Sequence, residues 1–184
     1  WDDILMQMSG GDEVSNQFLD GLTLAVELEK IWLDSEISLN KVSGTFARQQ
    51  ETWKEVRLKG EVSKDAELNL IIREDTNGNR HLEMKSRNAG RVLKFLDLYE
   101  NMRGGDLAVS GVFDDSIPTQ PLIGQISIRN YRVVNAPVLA RLLSVMALTG
   151  ILEALEGDGL AFTDLEAPFE LTQGTLEIKE ARAS

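Results

Sequence analysis

Residues 21–33, GLTLAVELEKIWL, decide the fold class because apolar and polar side chains alternate along them. Leu22, Leu24, Val26 and Leu28 share one side of an extended chain, and threonine, alanine and glutamate residues lie between them. A period of two is typical of a strand with one buried face. The stretch therefore predicts an antiparallel β-strand with one apolar and one polar face.

The same alternation recurs along the rest of the chain, in stretches separated by turn residues. Asn77 and Gly78 between two such stretches predict a β-hairpin, because both residues tolerate a positive φ. We expect a mainly β fold, in which an antiparallel sheet curls into an open apolar groove. Beyond the first, the predicted strands cover residues 37–46 with a break before Val42, 56–62, 68–72, 81–86, 106–113, 122–134, 160–172 and 174–183.

Two stretches depart from the alternation and predict helices. The first covers 89–102, with Asn88 as N-cap and Gly104 as its stop. The second covers 136–155 after the N-cap Asn135 and is apolar on almost every side, whereas a surface helix buries one stripe. We expect it to lie between the sheet and either lipid or more protein; a central core helix is the alternative. The residues predicted to cap the groove are Val138, Leu139, Leu142, Leu143, Met146 and Ile151.

Composition narrows the possible partners. The chain has 184 residues, of which 30 are acidic and 19 basic, and its net charge of −11 argues against binding to nucleic acid. There is no cysteine for a disulfide, a thiol nucleophile or a cysteine-based zinc site. Apolar runs stay below the roughly 20 residues that span a bilayer, so we predict no transmembrane segment within this sequence. Because the sequence begins at Trp1, we expect a fragment of a longer protein.

Residues that could support catalysis or metal binding are few. His81 is the single histidine, and no G-x-S-x-G motif accompanies it. The turn at 75–79 resembles a calcium loop, but its glycine comes too early and Ser86 stands where the closing glutamate is needed. We therefore predict no enzyme, no catalytic residue, no metal and no cofactor. An esterase with His81 as base is kept as a third hypothesis.

Residues 130–184 resemble the C-terminal region of AsmA-like proteins, the TamB/YhdP-type envelope proteins of Gram-negative bacteria. The resemblance rests on the helix motif APVLARLL…LTGILEAL, the exit G-x-G-L-x-F at 157–162 and the final stretch FELTQGTLEIKEARAS at 169–184. A looser match begins at Asn88 with NAGRVLKFL and GGDLAVSGVF. Together these motifs cover roughly residues 88–184.

The resemblance implies a repeating β-groove, or β-taco, fold in the periplasm, within a parent protein anchored in the inner membrane. Residues 1–87 would supply amphipathic groove strands, and residues 88–184 the AsmA-like C-terminal-type module. The implied function is to bind phospholipid acyl chains in a hydrophobic groove and to move lipid between the inner and outer membranes. The alternative is a non-enzymatic envelope scaffold or assembly factor that binds another protein through the sheet or the helix.

Sixteen apolar strand positions are predicted to face acyl chains. For each of them, a dry core position is the alternative. They are Leu22, Leu24, Val26, Leu28, Val56, Leu58, Leu68, Leu70, Ile72, Leu107, Val109, Ile126, Ile128, Phe162, Leu176 and Ile178.

Overall fold

The computed structural model describes residues 21–32, 38–49, 52–136 and 157–184. They form one antiparallel sheet of ten strands and a short helix. Residues 137–155 of the second predicted helix, and with them the six predicted groove-capping residues, lie outside the described residues.

The strands follow one another across the sheet in chain order. Consecutive strands from β1 to β8 are antiparallel neighbours, and β9 and β10 both pair with β8. The predicted antiparallel, mainly β fold is therefore confirmed, and the described sheet is open, with β1 at one edge and β9 and β10 at the other. The elements are β1 (Gly21–Trp32), β2 (Ser38–Gln49), β3 (Thr52–Ser63), β4 (Ala66–Glu74), β5 (Arg80–Ser86), α1 (Ala89–Phe95), β6 (Met102–Phe113), β7 (Leu122–Val133), β8 (Leu160–Thr172), β9 (Thr175–Ile178) and β10 (Arg182–Ala183).

The cross-strand register collects the apolar side chains on one face of the sheet, here called the apolar face. Residues directly opposite each other in an antiparallel pair point to the same face. One row of such residues runs across five strands without a polar member: Leu58, Leu70, Met84, Val109 and Ile126.

The opposite side of the sheet, here called the polar face, carries mostly charged and hydroxyl side chains. A row of directly opposite residues there contains Lys59, Asn69, Lys85 and Ser127. An antiparallel sheet tolerates water on one side when its side chains alternate in this way. The two faces therefore have separate environments, as the alternation in the sequence predicts.

Helix α1 packs on the apolar face and contributes to its core. Ala89 and Val92 are completely buried in a cluster with Leu107 and Ile128. At Gly90 a Cβ atom would collide with the backbone carbonyl of Met102, so only glycine allows the helix to approach β6 this closely. Helix α1 therefore covers the apolar face near the start of β6.

The first predicted helix is confirmed at its start and wrong at its end. The side-chain oxygen of Asn88 accepts a hydrogen bond from the backbone N–H of Arg91 at 3.2 Å, as an N-cap does. The helix ends at Phe95 instead of continuing to 102, and Gly104, the predicted stop, belongs to β6.

Asp97 ends the helix early. It adopts a left-handed conformation with φ 55°, and its N–H donates to the carbonyl of Lys94 at 3.1 Å. The N–H of Leu98 donates to the carbonyl of Leu93 at 2.9 Å. These two bonds form a Schellman motif, which is usually built on glycine. Because aspartate occupies this position instead of glycine, the sequence does not show that the helix ends here.

The break predicted before Val42 is a β-bulge. Lys41 has a φ of 48°, and Leu39 before it and Val42 after it are both buried although they are three residues apart. In strict alternation they would point to opposite faces. Asn130, with a φ of 53°, marks a similar change of face in β7, because Ile128 and Tyr131 are both buried, but the register with β6 and β8 is unbroken there.

The single strand predicted over 174–183 is wrong, since the structure divides it into β9 and β10. Ile178 lies opposite Phe169, and Arg182 lies opposite Glu166. The chain thus advances four residues from Ile178 to Arg182 while β8 advances three, from Phe169 to Glu166. The additional residue interrupts the hydrogen-bond ladder between β9 and β10.

We expect Gly90→Ala to lower the free energy of unfolding by about 1–3 kcal/mol, because the added methyl group collides with backbone that cannot move away easily. The higher helix propensity of alanine, about 1 kcal/mol, offsets only part of that loss. Urea unfolding checks the change, with Lys94→Ala on the exposed side of α1 as control. Equal stability of the Gly90 variant and the parent would contradict the close packing of α1 on β6.

Candidate functional site: the apolar face

The structure brings the sixteen predicted positions together on the apolar face. In β1, Leu24 lies opposite Phe46 of β2, which lies opposite Val56 of β3. At the other edge, Leu176 lies opposite Leu171 of β8. Phe162 is opposite Tyr131, and their rings stack with centroids 5.3 Å apart. The spacing in the sequence therefore identified one continuous surface.

Five of the sixteen positions are buried, in the middle of the sheet. Because they already contact protein atoms, these side chains have little surface left for a ligand. Charged substitutions there would damage the core before they changed ligand binding. The five are Val56, Leu68, Leu107, Val109 and Ile128.

The accessible part of the apolar face lies toward β1. Leu22, Leu24 and Leu28 are 42%, 47% and 45% exposed, and Val26 between them is half-buried. Ile178 at the opposite edge is 50% exposed. The remaining seven positions are half-buried: Leu58, Leu70, Ile72, Ile126, Phe162, Leu176 and Val26.

Further residues of the apolar face were missing from the prediction. Leu122 and Phe169 are buried in the core, and Leu82 and Met84 pack against it. Their signal is present in the sequence, since each has the same parity as a predicted neighbour in its strand or lies opposite one. Met84, for example, lies directly between Leu70 and Val109.

Arg80 adds a charge to one end of the apolar face. It shares the parity of Leu82 in β5, and only 6% of its side chain is exposed. The guanidinium lies over the ring of Phe113, with 4.3 Å from Cζ to the ring centroid. It donates in bidentate fashion to the carboxylate of Asp115 and also to Oε1 of Gln120 at 3.0 Å.

The Arg80 ion pair attaches the loop between β6 and β7 to the sheet. The hydrogen bonds from Arg80 lower the pKa of the Asp115 carboxyl group, and partial burial opposes that shift. A planar guanidinium fits a carboxylate with two parallel hydrogen bonds, which the ammonium of lysine cannot reproduce. Sequence reasoning missed this contact, because Arg80 and Asp115 are 35 residues apart and neither belongs to a motif.

His81 lies on the polar face, beside the turn that follows β4. Its Nε2 is 3.1 Å from Oδ2 of Asp75, whose other oxygen accepts the backbone N–H groups of Asn77 and Asn79 at 2.8 and 2.9 Å. The bond from Asn79, followed by that from His81, lowers the pKa of Asp75 to about 2. Asp75 therefore stabilises a tight turn. Within the described ranges, no three His, Cys, Asp or Glu side chains lie close enough together to bind a metal ion.

Two broad depressions of about 680 and 890 Å³ lie on the polar face. Leu107 is the one predicted position that borders either of them. Their charged residues include both signs, and Arg73 pairs with Glu83 there at 2.9 Å. Exposed ion pairs of this kind contribute little to stability. We therefore interpret the two depressions as ordinary solvated surface.

No family model, curated protein or solved structure matches this chain. Among the helices that the structure describes, none is both long and apolar enough to cross a bilayer.

We expect Asp75→Asn to destabilise the protein near neutral pH and to lose this effect in acid. The pKa of Asp75 is about 2 in the folded protein against an ordinary value of 3.8. Its carboxylate therefore stabilises the fold above pH 4, and this contribution disappears as the pH falls from about 4 to 2. Denaturant unfolding of both proteins at several pH values measures the gap. A gap that stays constant from pH 6 to pH 2 would contradict the assignment.

We expect Arg80→Ala to cost about 2–3 kcal/mol of stability, because it leaves the partly buried Asp115 carboxylate without its charged donor. Arg80→Lys should recover only part of the loss. The matched control is Arg73→Ala, which removes an exposed ion pair and should cost less than about 1 kcal/mol. Thermal unfolding distinguishes the three, and equal losses for Arg80→Ala and Arg73→Ala would contradict a structural role for Arg80.

Proposed function

We propose that this chain is a module of a bacterial envelope bridge protein that binds phospholipid acyl chains on its apolar face and moves lipid between the inner and outer membranes. The observation that carries the proposal is the exposure of leucine side chains along β1, on the same face as a buried apolar core. The resemblance of residues 88–184 to AsmA-like proteins supports the same function, within a periplasmic parent protein anchored in the inner membrane.

The energetics favour a long apolar ligand. Exposed leucines at 22, 24 and 28 leave apolar surface in contact with water, and covering such surface is favourable by roughly 25 cal/mol per Å². An acyl chain contributes about 0.8 kcal/mol for each buried CH₂ group. A strand repeats its side chains on one face every two residues, so its leucines form a linear track that suits an extended chain.

Charge supports binding through the acyl chain rather than through the head group. The protein carries a net charge of −11, and anionic lipid surfaces attract clusters of lysine and arginine. Several bases of the polar face are also paired with acids, as in the contact of Arg73 with Glu83 at 2.9 Å. Attraction to head groups is therefore weak, and burial of the acyl chain supplies the affinity.

A non-enzymatic envelope scaffold is the second candidate. Its supporting observation is the length of β1, which has twelve residues and pairs only with β2 among the described strands. A strand edge of this kind accepts an extended segment of another protein through main-chain hydrogen bonds. In that case the exposed leucines would contact side chains of the partner protein instead of lipid.

Native mass spectrometry of the chain after incubation with phospholipid tests the lipid proposal. We expect Leu24→Glu to reduce lipid loading at least tenfold with little change in thermal stability, because Leu24 is exposed on the apolar face. Thr23→Glu is the matched control, since it adds the same charge at the adjacent exposed position on the polar face. Ile128→Glu should instead unfold the protein, because Ile128 is 1% exposed.

An unmodified protein mass without bound lipid would overturn the proposal. Equal loss of loading in the Leu24 and Thr23 variants would also contradict it, because charge alone would then explain the effect. Lipid loading that survives Leu24→Glu would place the ligand away from β1.

A further inference from the structure

Strand β1 is more exposed than any other long strand of the sheet. All twelve of its residues are exposed or half-buried, and the exposed ones include Leu22, Leu24 and Leu28. Its described neighbour is β2 alone, so its outer backbone edge faces away from the described sheet. A long apolar edge strand is a template for pairing with another strand.

The first eight residues of β1, from Gly21 to Leu28, lack the usual features that prevent such pairing. Proteins protect edge strands with proline, with charges that point inward, or with bulges. β1 contains no proline, and its residues align one to one with β2 from Gly21 to Leu28. Its first charged residue is Glu27, which lies on the polar face. The segment from Gly21 to Leu28 is therefore a regular, uncharged strand edge on its apolar side.

We propose that β1 pairs with β1 of a second copy of this chain, in antiparallel orientation around a two-fold axis at Ala25. The proposal rests on the outer edge of β1, which no described strand occupies, and on the self-complementary sequence of β1. It is independent of lipid binding. A two-fold interface uses the same surface on both copies, so the strand must match its own reverse.

The apolar side of β1 satisfies that requirement. With the axis at Ala25, Leu22 lies opposite Leu28 of the second copy, and Leu24 lies opposite Val26 of the second copy. Directly opposite apolar pairs each stabilise a sheet by roughly 0.2–1 kcal/mol. The apolar faces of both copies then join into one continuous surface.

The polar side is compatible with the same register. Ala25 meets Ala25, Thr23 lies opposite Glu27, and Glu29 lies opposite Gly21 of the second copy. Like charges therefore do not face each other directly. An axis at Glu27 would bring two carboxylates together, and a shift by one residue would place leucines opposite glutamates. The axis at Ala25 also pairs all four apolar residues of the segment with one another, whereas an axis at Val26 would set Leu22 opposite Lys30.

Cysteine cross-linking in the full chain tests the pairing, and the native sequence is free of cysteine. Ala25→Cys should form a disulfide-linked dimer readily on mild oxidation, because directly opposite Cβ atoms lie about 4.5–5.5 Å apart, near the disulfide range. Thr45→Cys is the control. It is exposed on the same face and lies opposite Ala25 within one copy, but in the dimer its two copies are three strand spacings apart.

Light scattering provides a second readout without cross-linking. We expect a concentration-dependent dimer, and Ala25→Lys should raise its dissociation constant roughly tenfold or more, because two like charges then meet at the axis. The circular dichroism of that variant should remain unchanged, since position 25 is exposed.

Three results would overturn the inference. One is a folded protein that stays monomeric over the whole accessible concentration range. Another is equal cross-linking of the cysteines at 25 and 45. The third is dimer formation only after removal of residues 1–20, which would assign that segment as the occupant of the β1 edge.

Discussion

The organising constraint of this structure is that an antiparallel sheet with one apolar face must keep that face from water. The alternation that begins at β1 continues through all the long strands, so the apolar face extends across the whole described sheet. Among the described elements, the short helix α1 covers a small part of it. The distribution of exposure over the face therefore determines what the protein can bind, and β1 is where leucine surface remains accessible.

The two ends of the strands are closed by different means. At one end α1 packs directly on β6, which depends on the absence of a side chain at Gly90. At the other end Arg80 lies over Phe113 and ties Asp115, in the loop between β6 and β7, to the sheet. A buried guanidinium costs desolvation energy, and its full set of hydrogen bonds offsets that cost. Both contacts lie around β5 to β7, where the apolar face is most buried. Toward β1, the side chains of the apolar face are exposed.

Local patterns predicted most of the strands, because side-chain alternation reflects burial of one face directly. The first predicted strand, for example, covers all of β1, and its last residue, Leu33, lies outside the described residues. The helix end at Phe95 was missed because Asp97 takes a left-handed conformation more typical of glycine. The buried Arg80 was missed because burial depends on partners distant in sequence. For the same reason, alternation placed Leu24 and Ile128 on one face but could not show that only Leu24 is accessible.

Photo-cross-linking with a phospholipid that carries a diazirine in its acyl chain tests the central claim most directly. We expect lipid adducts on β1 and on the neighbouring apolar-face residues of β2 and β3, with Leu24 and Leu28 among the modified positions. The buried positions Leu107 and Ile128 should remain unmodified, because their side chains already contact protein. Adducts concentrated on the polar face, or a folded protein without adducts, would contradict an acyl-chain site on the apolar face.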